Sequence, residues 1–139
     1  MTNSAFIYTK KLMPKNINIL GLKIYTSKQL YIIINMEPPK YLLGKNAADN
    51  WKIYKESSQA DTVFHLDKFS SPYVIVNLPI AELTPEHINT AAELCKSKSK
   101  YKNMSNIGVM YTPISNTILG DALGSFIISS NHKVKVIYI

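Results

Sequence analysis

The sequence predicts a single α+β domain, built on a mostly antiparallel or mixed sheet with two main helices. Three observations carry this. The chain has 139 residues, 46% of them apolar and 18% charged, which is a globular composition with room for one core. Short runs of β-branched and aromatic residues are separated by turn residues. The helical patterns are two, and they do not alternate with every strand as a doubly wound fold requires.

Taken in order, residues 1–15 read as a loose arm carrying Lys10, Lys11 and Lys15. Ile17 to Tyr25 and Leu30 to Met36 then read as a hairpin joined by Thr26-Ser27-Lys28-Gln29 and stopped by Glu37-Pro38-Pro39. Residues 1–40 thus form an N-terminal extension before a domain spanning 41–139. Tyr41-Leu42-Leu43 is a short strand ended by Gly44. Asn46 is an N-cap for a helix to about Lys55, with Ala47, Ala48, Trp51 and Tyr54 on one face. Thr62 to Leu66 is a strand, Asp67 to Ser71 a turn, and Pro72 to Leu78 a buried strand. Thr84-Pro85-Glu86 supplies a capping hydroxyl, a proline at the first helical position and an acid in the first turn. The helix it opens carries the apolar stripe Ile88, Ala91, Ala92 and Cys95, and runs into a lysine-rich segment. Ile107 to Tyr111, Ser125 to Ser129 and Lys133 to Ile139 close the chain as strands.

The charge narrows the function classes. All sixteen basic residues are lysines, and the net charge is +7. Lysine grips phosphate as a point charge, whereas the bidentate reading of guanine is the work of arginine. Residues 1–55 hold nine lysines against two acids, residues 56–95 one against six, and residues 96–139 six against one. This asymmetry predicts separate basic and acidic surfaces. The lone Cys95 excludes an internal disulfide framework and a multi-cysteine zinc site, and it fits a reducing compartment. No residue spacing calls for a metal or a cofactor. The run from Leu30 to Met36 falls far below the roughly 20 residues of a membrane span. The expectation is a soluble cytoplasmic protein with no membrane partner.

Several residues are candidates for function. Lys96, Lys98, Lys100 and Lys102 crowd seven residues with Tyr101 and no acid, a pattern suited to tracking a phosphate backbone with an aromatic ring to stack on a base. Lysines at a helix C-terminus also complement its dipole without binding anything. Lys45, between Gly44 and Asn46 at a helix start, is placed to meet a phosphate, although an ordinary strand-to-helix turn has the same composition. There is no GxGxxG or Walker pattern. His65 and Asp67 share a strand face, which allows an orienting hydrogen bond for acid–base chemistry. A structural histidine at a strand edge is the commoner source of such a pattern. His87 and His132 are isolated. Cys95, on an apolar stripe, reads as core.

Leu43-Gly44-Lys45-Asn46-Ala47-Ala48-Asp49-Asn50 resembles the opening "G-basic-N-A-x-x-N" motif of the R domain of the NFACT proteins. Phe64-His65, followed by Asp67-Lys68-Phe69-Ser70-Ser71, is similar to that domain's "W-F-H-V-x-x-x-x-G/S-S-H-V" core. Tyr111-Thr112-Pro113-Ile114-Ser115-Asn116 and Lys133-Val134-Lys135-Val136 look like its stand-alone, coiled-coil-tailed branch. The helix from Pro85 to Lys96 lies between them, so the likeness covers Tyr41 to Ile139.

The resemblance implies a non-enzymatic nucleic-acid-binding module, mainly for RNA, linked to ribosomes and translation quality control, and it leaves DNA open as a second partner. It carries over Gly44, Lys45, Asn46, Asn50, Phe64, His65, Asp67, Lys68, Ser70, Ser71, Tyr111, Thr112 and Pro113. Three departures stand out. Val63 replaces the motif's tryptophan, Tyr73 its second histidine, and Ile118-Leu119 a lysine pair. The first two weaken any catalytic reading. The branch's coiled-coil tail has no counterpart here, so tail-dependent partners do not carry over. The expected nucleic-acid contacts are Lys45, Asn46, His65, Lys68, Lys96, Lys98, Lys100, Tyr101 and Lys102. Two other readings stay open at this stage: a protein-interaction module that docks on an assembly, and an RNA-modifying enzyme using His65.

Overall fold

The computed structural model describes residues 5–9, 26–34, 37–129 and 134–139. Its main sheet joins Ala5–Thr9 (β1), Lys40–Gly44 (β2), Thr62–Leu66 (β3), Val74–Val76 (β4), Gly108–Pro113 (β5) and Lys135–Tyr138 (β8) in the order β1-β2-β4-β3-β5-β8. Every pair in it is antiparallel. A separate hairpin pairs Thr117–Leu119 (β6) with Phe126–Ile128 (β7). The described helices are Ser27–Ile34 (α1), Ala47–Glu56 (α2) and Pro85–Ser97 (α3). This is the expected α+β domain.

Alternation along the strands builds two cores. Tyr41, Leu43, Phe64, Leu66, Val74, Val76 and Val109 pack under Ala91, Ala92 and Cys95 of α3. Leu42, Val63 and Ile75 face the other way and pack with Ile53 of α2, Ile114 and Phe126. The sheet is therefore covered on both faces, which is why β4 reads as an uninterrupted Val-Ile-Val. Phe64 and Tyr111 are cross-strand partners, and their rings stack at 4.9 Å. Cys95 lies in the α3 core, where burial pushes its thiol well above the ordinary value.

The helix starts follow the caps that the residues offer. Thr84 Oγ1 accepts from the His87 backbone N–H at 3.2 Å, and His87 Nδ1 accepts from the Thr84 N–H at 3.1 Å. This is a reciprocal capping box. Thr26 and Gln29 make the same exchange at 3.1 and 2.8 Å. That box overturns the expected hairpin. Ser27 to Ile34 is helical, because the local cap outweighs the weak helix preference of its β-branched residues. The expected partner strand, Ile17 to Tyr25, lies outside the described residues, as do His132 and Lys133.

Other differences are local. Part of the expected loose arm is β1, paired with β2. The strand expected over Ser125 to Ser129 shortens to β7 and joins β6 instead of the main sheet. The face that α2 buries centres on Ile53, while Ala47 and Ala48 are exposed. Among the described residues, no helix is long and apolar enough to cross a membrane.

Candidate nucleic-acid interface

Three segments converge beside the first turn of α2. The first is Gly44-Lys45-Asn46. Asn46 caps the helix, its Oδ1 accepting from the Asp49 N–H at 2.9 Å, and Asp49 Oδ2 accepts from the Lys45 N–H at 3.3 Å. These bonds occupy two backbone donors at the helix start, so the positive character offered here rests mainly on the Lys45 side chain. Gly44 is required by close approach: a Cβ there would overlap Asn50 Oδ1.

The second segment is the end of β3 and the turn after it. His65 points away from α3, because strand alternation sends Phe64 and Leu66 into that core. Its Nδ1–H donates to the Leu66 carbonyl at 2.7 Å. Burial pulls its pKa below the ordinary value, with the Leu66 and Ser71 carbonyls partly opposing. The imidazole is therefore neutral at pH 7. Asp67 does not orient it. The strand ends at Leu66, so the period-2 argument stops there, and the Asp67 N–H is bonded to the Gly108 carbonyl at 2.8 Å. Ser71 Oγ closes the turn, accepting from the Leu66 N–H at 3.1 Å and donating to the Pro72 carbonyl at 2.9 Å. Tyr73 sits 4.3 Å from the His65 ring and stacks on Phe126 at 3.8 Å. Its hydroxyl accepts from the Phe126 N–H at 3.2 Å, and burial raises its pKa. Where the motif has a second histidine, this chain has a neutral aromatic bolt between β4 and the hairpin.

The third segment is the loop between β6 and β7. Trp51 Nε1–H donates to the Ser125 carbonyl at 3.0 Å, and Tyr54 Oη donates to the Thr117 carbonyl at 3.0 Å. Gly124, at φ +82°, brings its backbone against the start of α2, so that a Cβ would lie 2.6 Å from Ala47 Cα. The helix thus holds the hairpin and aims its loop at the same spot.

Together these segments border an open cleft of about 570 Å³. Lys45, Asn46, His65, Ser70 and Tyr73 line it, and Lys98, just past the end of α3, reaches it from the other core. Leu123, Gly124 and Ser125 complete the wall. No carboxylate is part of the lining. Of the expected contacts, Lys45, Asn46, His65 and Lys98 therefore come together. Lys68, Lys96, Lys100, Tyr101 and Lys102 lie outside the lining. Lys68, Lys100 and Lys102 are exposed and Lys96 is half-buried. Tyr101 is packed on Phe69 at 4.5 Å and against the α3 core, which commits much of its ring to the fold. The hairpin's contribution was missed from sequence. Its signals were two glycines, Gly120 and Gly124, around the short Asp121-Ala122-Leu123 turn, and a single tryptophan on α2.

The sequence profile of the NFACT protein RNA binding domain matches residues 25–130. The chain belongs to this family. The matched region takes in α1, both cores and the whole lining of the cleft. Coiled-coil domain-containing protein 25 of Danio rerio is 32% identical over 87 residues, covering 58% of this chain and 42% of that protein. The Bos taurus protein of that name is 32% identical over 88 residues, with 60% and 42% covered. The chain thus spans less than half the length of these curated relatives. Among solved structures, the C-terminal part of the fibronectin/fibrinogen-binding protein from Streptococcus suis superposes with a TM-score of 0.66 at 18% identity. That match covers 73% of this chain and 41% of the other, and it shows a shared fold. Membership in the RNA-binding family supports a nucleic-acid-binding role for the domain.

Proposed function

We propose that this NFACT-type domain is a non-catalytic RNA-binding module that holds the phosphate backbone through lysines, and that it serves ribosome-linked translation quality control in the cytoplasm. One observation carries the reading: Lys45 and Lys98, set by helices on opposite faces of the sheet, line one cleft whose lining holds no carboxylate. Lys68 shares a turn with Ser70, and Lys96, Lys100 and Lys102 lie within four residues of Lys98 in the chain, so the reading assigns them further phosphate contacts outside the cleft. A grip of this kind reads charge and shape more than sequence, and it accepts DNA phosphates by the same route.

The non-catalytic part rests on the side chains a reaction would need. Ser71 is committed to its own turn, His65 Nδ1 to the Leu66 carbonyl, and Cys95 is buried. The test is fluorescence-anisotropy binding to single-stranded RNA across a salt series. Three or four phosphate contacts predict a log–log slope of about −2 to −3. Binding that is absent at low salt, or insensitive to salt, sinks the proposal.

A second reading draws on the hairpin. Ile118 and Ile127 are register partners, and both are about half exposed, an apolar pair on the surface of β6 and β7. As a protein-docking surface it predicts that changing both to threonine removes ribosome co-sedimentation while RNA affinity stays unchanged.

A further inference from the structure

The shape and lining of the cleft allow a more specific statement, which rests on the RNA-binding reading. We infer that the cleft receives one unpaired nucleotide, so that the domain prefers a single-stranded end or an extruded base to a continuous duplex. At about 570 Å³ it lies within the roughly 300–1,000 Å³ of small-ligand sites. Duplex RNA is instead met across broad, shallow minor-groove surfaces. Its cationic equipment is also local. Lys45 and Lys98 suit one phosphodiester, and the lining holds no carboxylate, the neighbouring Asp49 being buried and bonded to the Lys45 N–H. Apolar surface for a base is present beside them. Leu123 is 58% exposed at the rim, and Pro72 and His65 share the wall with it.

The His65 ring is backed by Tyr73, which is backed by Phe126, at successive centroid distances of 4.3 and 3.8 Å. A base laid against His65 would therefore lengthen an existing aromatic row. The walls are preorganised. Asn50 occupies the space beside Gly44, Gly124 is seated on Ala47, and Trp51 pins Ser125. The Asn46 Oδ1 acceptor and the Ser71 hydroxyl are spent within the fold and do not read base edges. The site is thus selective for an unpaired nucleotide.

The experiment compares the full chain binding a blunt-ended RNA duplex and the same duplex with a short 3′ overhang. It adds an amide-resolved NMR titration with adenosine monophosphate, adenosine and inorganic phosphate. The overhang should tighten binding about tenfold or more, the equivalent of one stacked base. That gain should be lost in Leu123→Ser and in Lys98→Ala. Adenosine monophosphate should shift the amides of 44–47, 70–73 and 123–125 at concentrations where inorganic phosphate does not. Equal binding of blunt and overhanging duplexes overturns the single-nucleotide cleft while leaving RNA binding intact. Equal shifts from phosphate alone overturn the base-holding half of it. Failure of every RNA to bind removes the underlying RNA-binding reading itself.

Discussion

Gly44 and Asn50 are locked together: the Asn50 side-chain oxygen occupies the space that a Cβ at position 44 would need. The same oxygen accepts from the Tyr73 N–H at a long 3.5 Å. The end of β2, the first turn of α2 and the start of β4 therefore meet at one amide. Gly44→Ala forces Asn50 aside, and it should lower stability by about 1–3 kcal/mol. Asn50→Ala removes the obstacle. In urea unfolding, the double variant Gly44→Ala/Asn50→Ala should recover part of the Gly44→Ala loss as a coupling energy. Additive losses would show that the overlap is not what requires glycine.

Gly124 makes a harder demand. Its φ of +82° and the 2.6 Å approach to Ala47 Cα both exclude a side chain. Gly124→Ala should cost about 1–3 kcal/mol of local stability. Because this loop walls the cleft, RNA affinity should fall along with it. Hydrogen exchange at residues 117–128 should quicken more than in the α3 core, to which the hairpin contributes no residue.

His65 gives a pH dependence whose sign follows from its burial. Its folded pKa lies below the ordinary 6.5, so within that window the unfolded chain binds more protons than the folded one. The stabilisation is fully present above pH 6.5 and is lost as pH falls through the folded value. Urea midpoints should therefore drop between about pH 7.5 and pH 5.5. His65→Gln should flatten that drop whatever its own effect at neutral pH. An unchanged pH profile in the variant would assign the drop to other groups.

The cap on α1 is a local matter. Thr26→Ala removes one half of the Thr26–Gln29 exchange, and about 1 kcal/mol of helix stability should go with it. Amide exchange over residues 27–34 should rise, while the urea midpoint of the domain barely moves.

Much of this was legible in the residues. Thr84-Pro85-Glu86 and the stripe Ile88, Ala91, Ala92 and Cys95 announced α3 because cap, proline and periodicity agree there. Val74 to Val76 announced a strand covered on both sides. The segment from Leu30 to Ile34 misled because β-branched content argues for a strand while the decisive signal, Thr26 with Gln29, sits outside the run. In the site, Lys45, Asn46 and His65 were visible as parts of local patterns. The partnership of Lys98 with them was not, since it depends on how the end of α3 passes the turn after β3. Nor was the hairpin wall, whose position is set by hydrogen bonds from Trp51 and Tyr54 to distant backbone carbonyls.

The central claim is that the cleft lysines hold RNA, and the direct measurement is the salt dependence of single-stranded RNA binding in two charge-matched variants. Lys45→Ala/Lys98→Ala removes the pair in the cleft. Lys28→Ala/Lys40→Ala removes two exposed lysines outside it. The account predicts that the first variant loses affinity and shallows the log–log salt slope by about 0.7, the one single-strand phosphate contact the pair makes. The second should keep the parent slope and lose little affinity. Equal losses in the two variants would mean that net charge, and not the cleft, attracts the RNA.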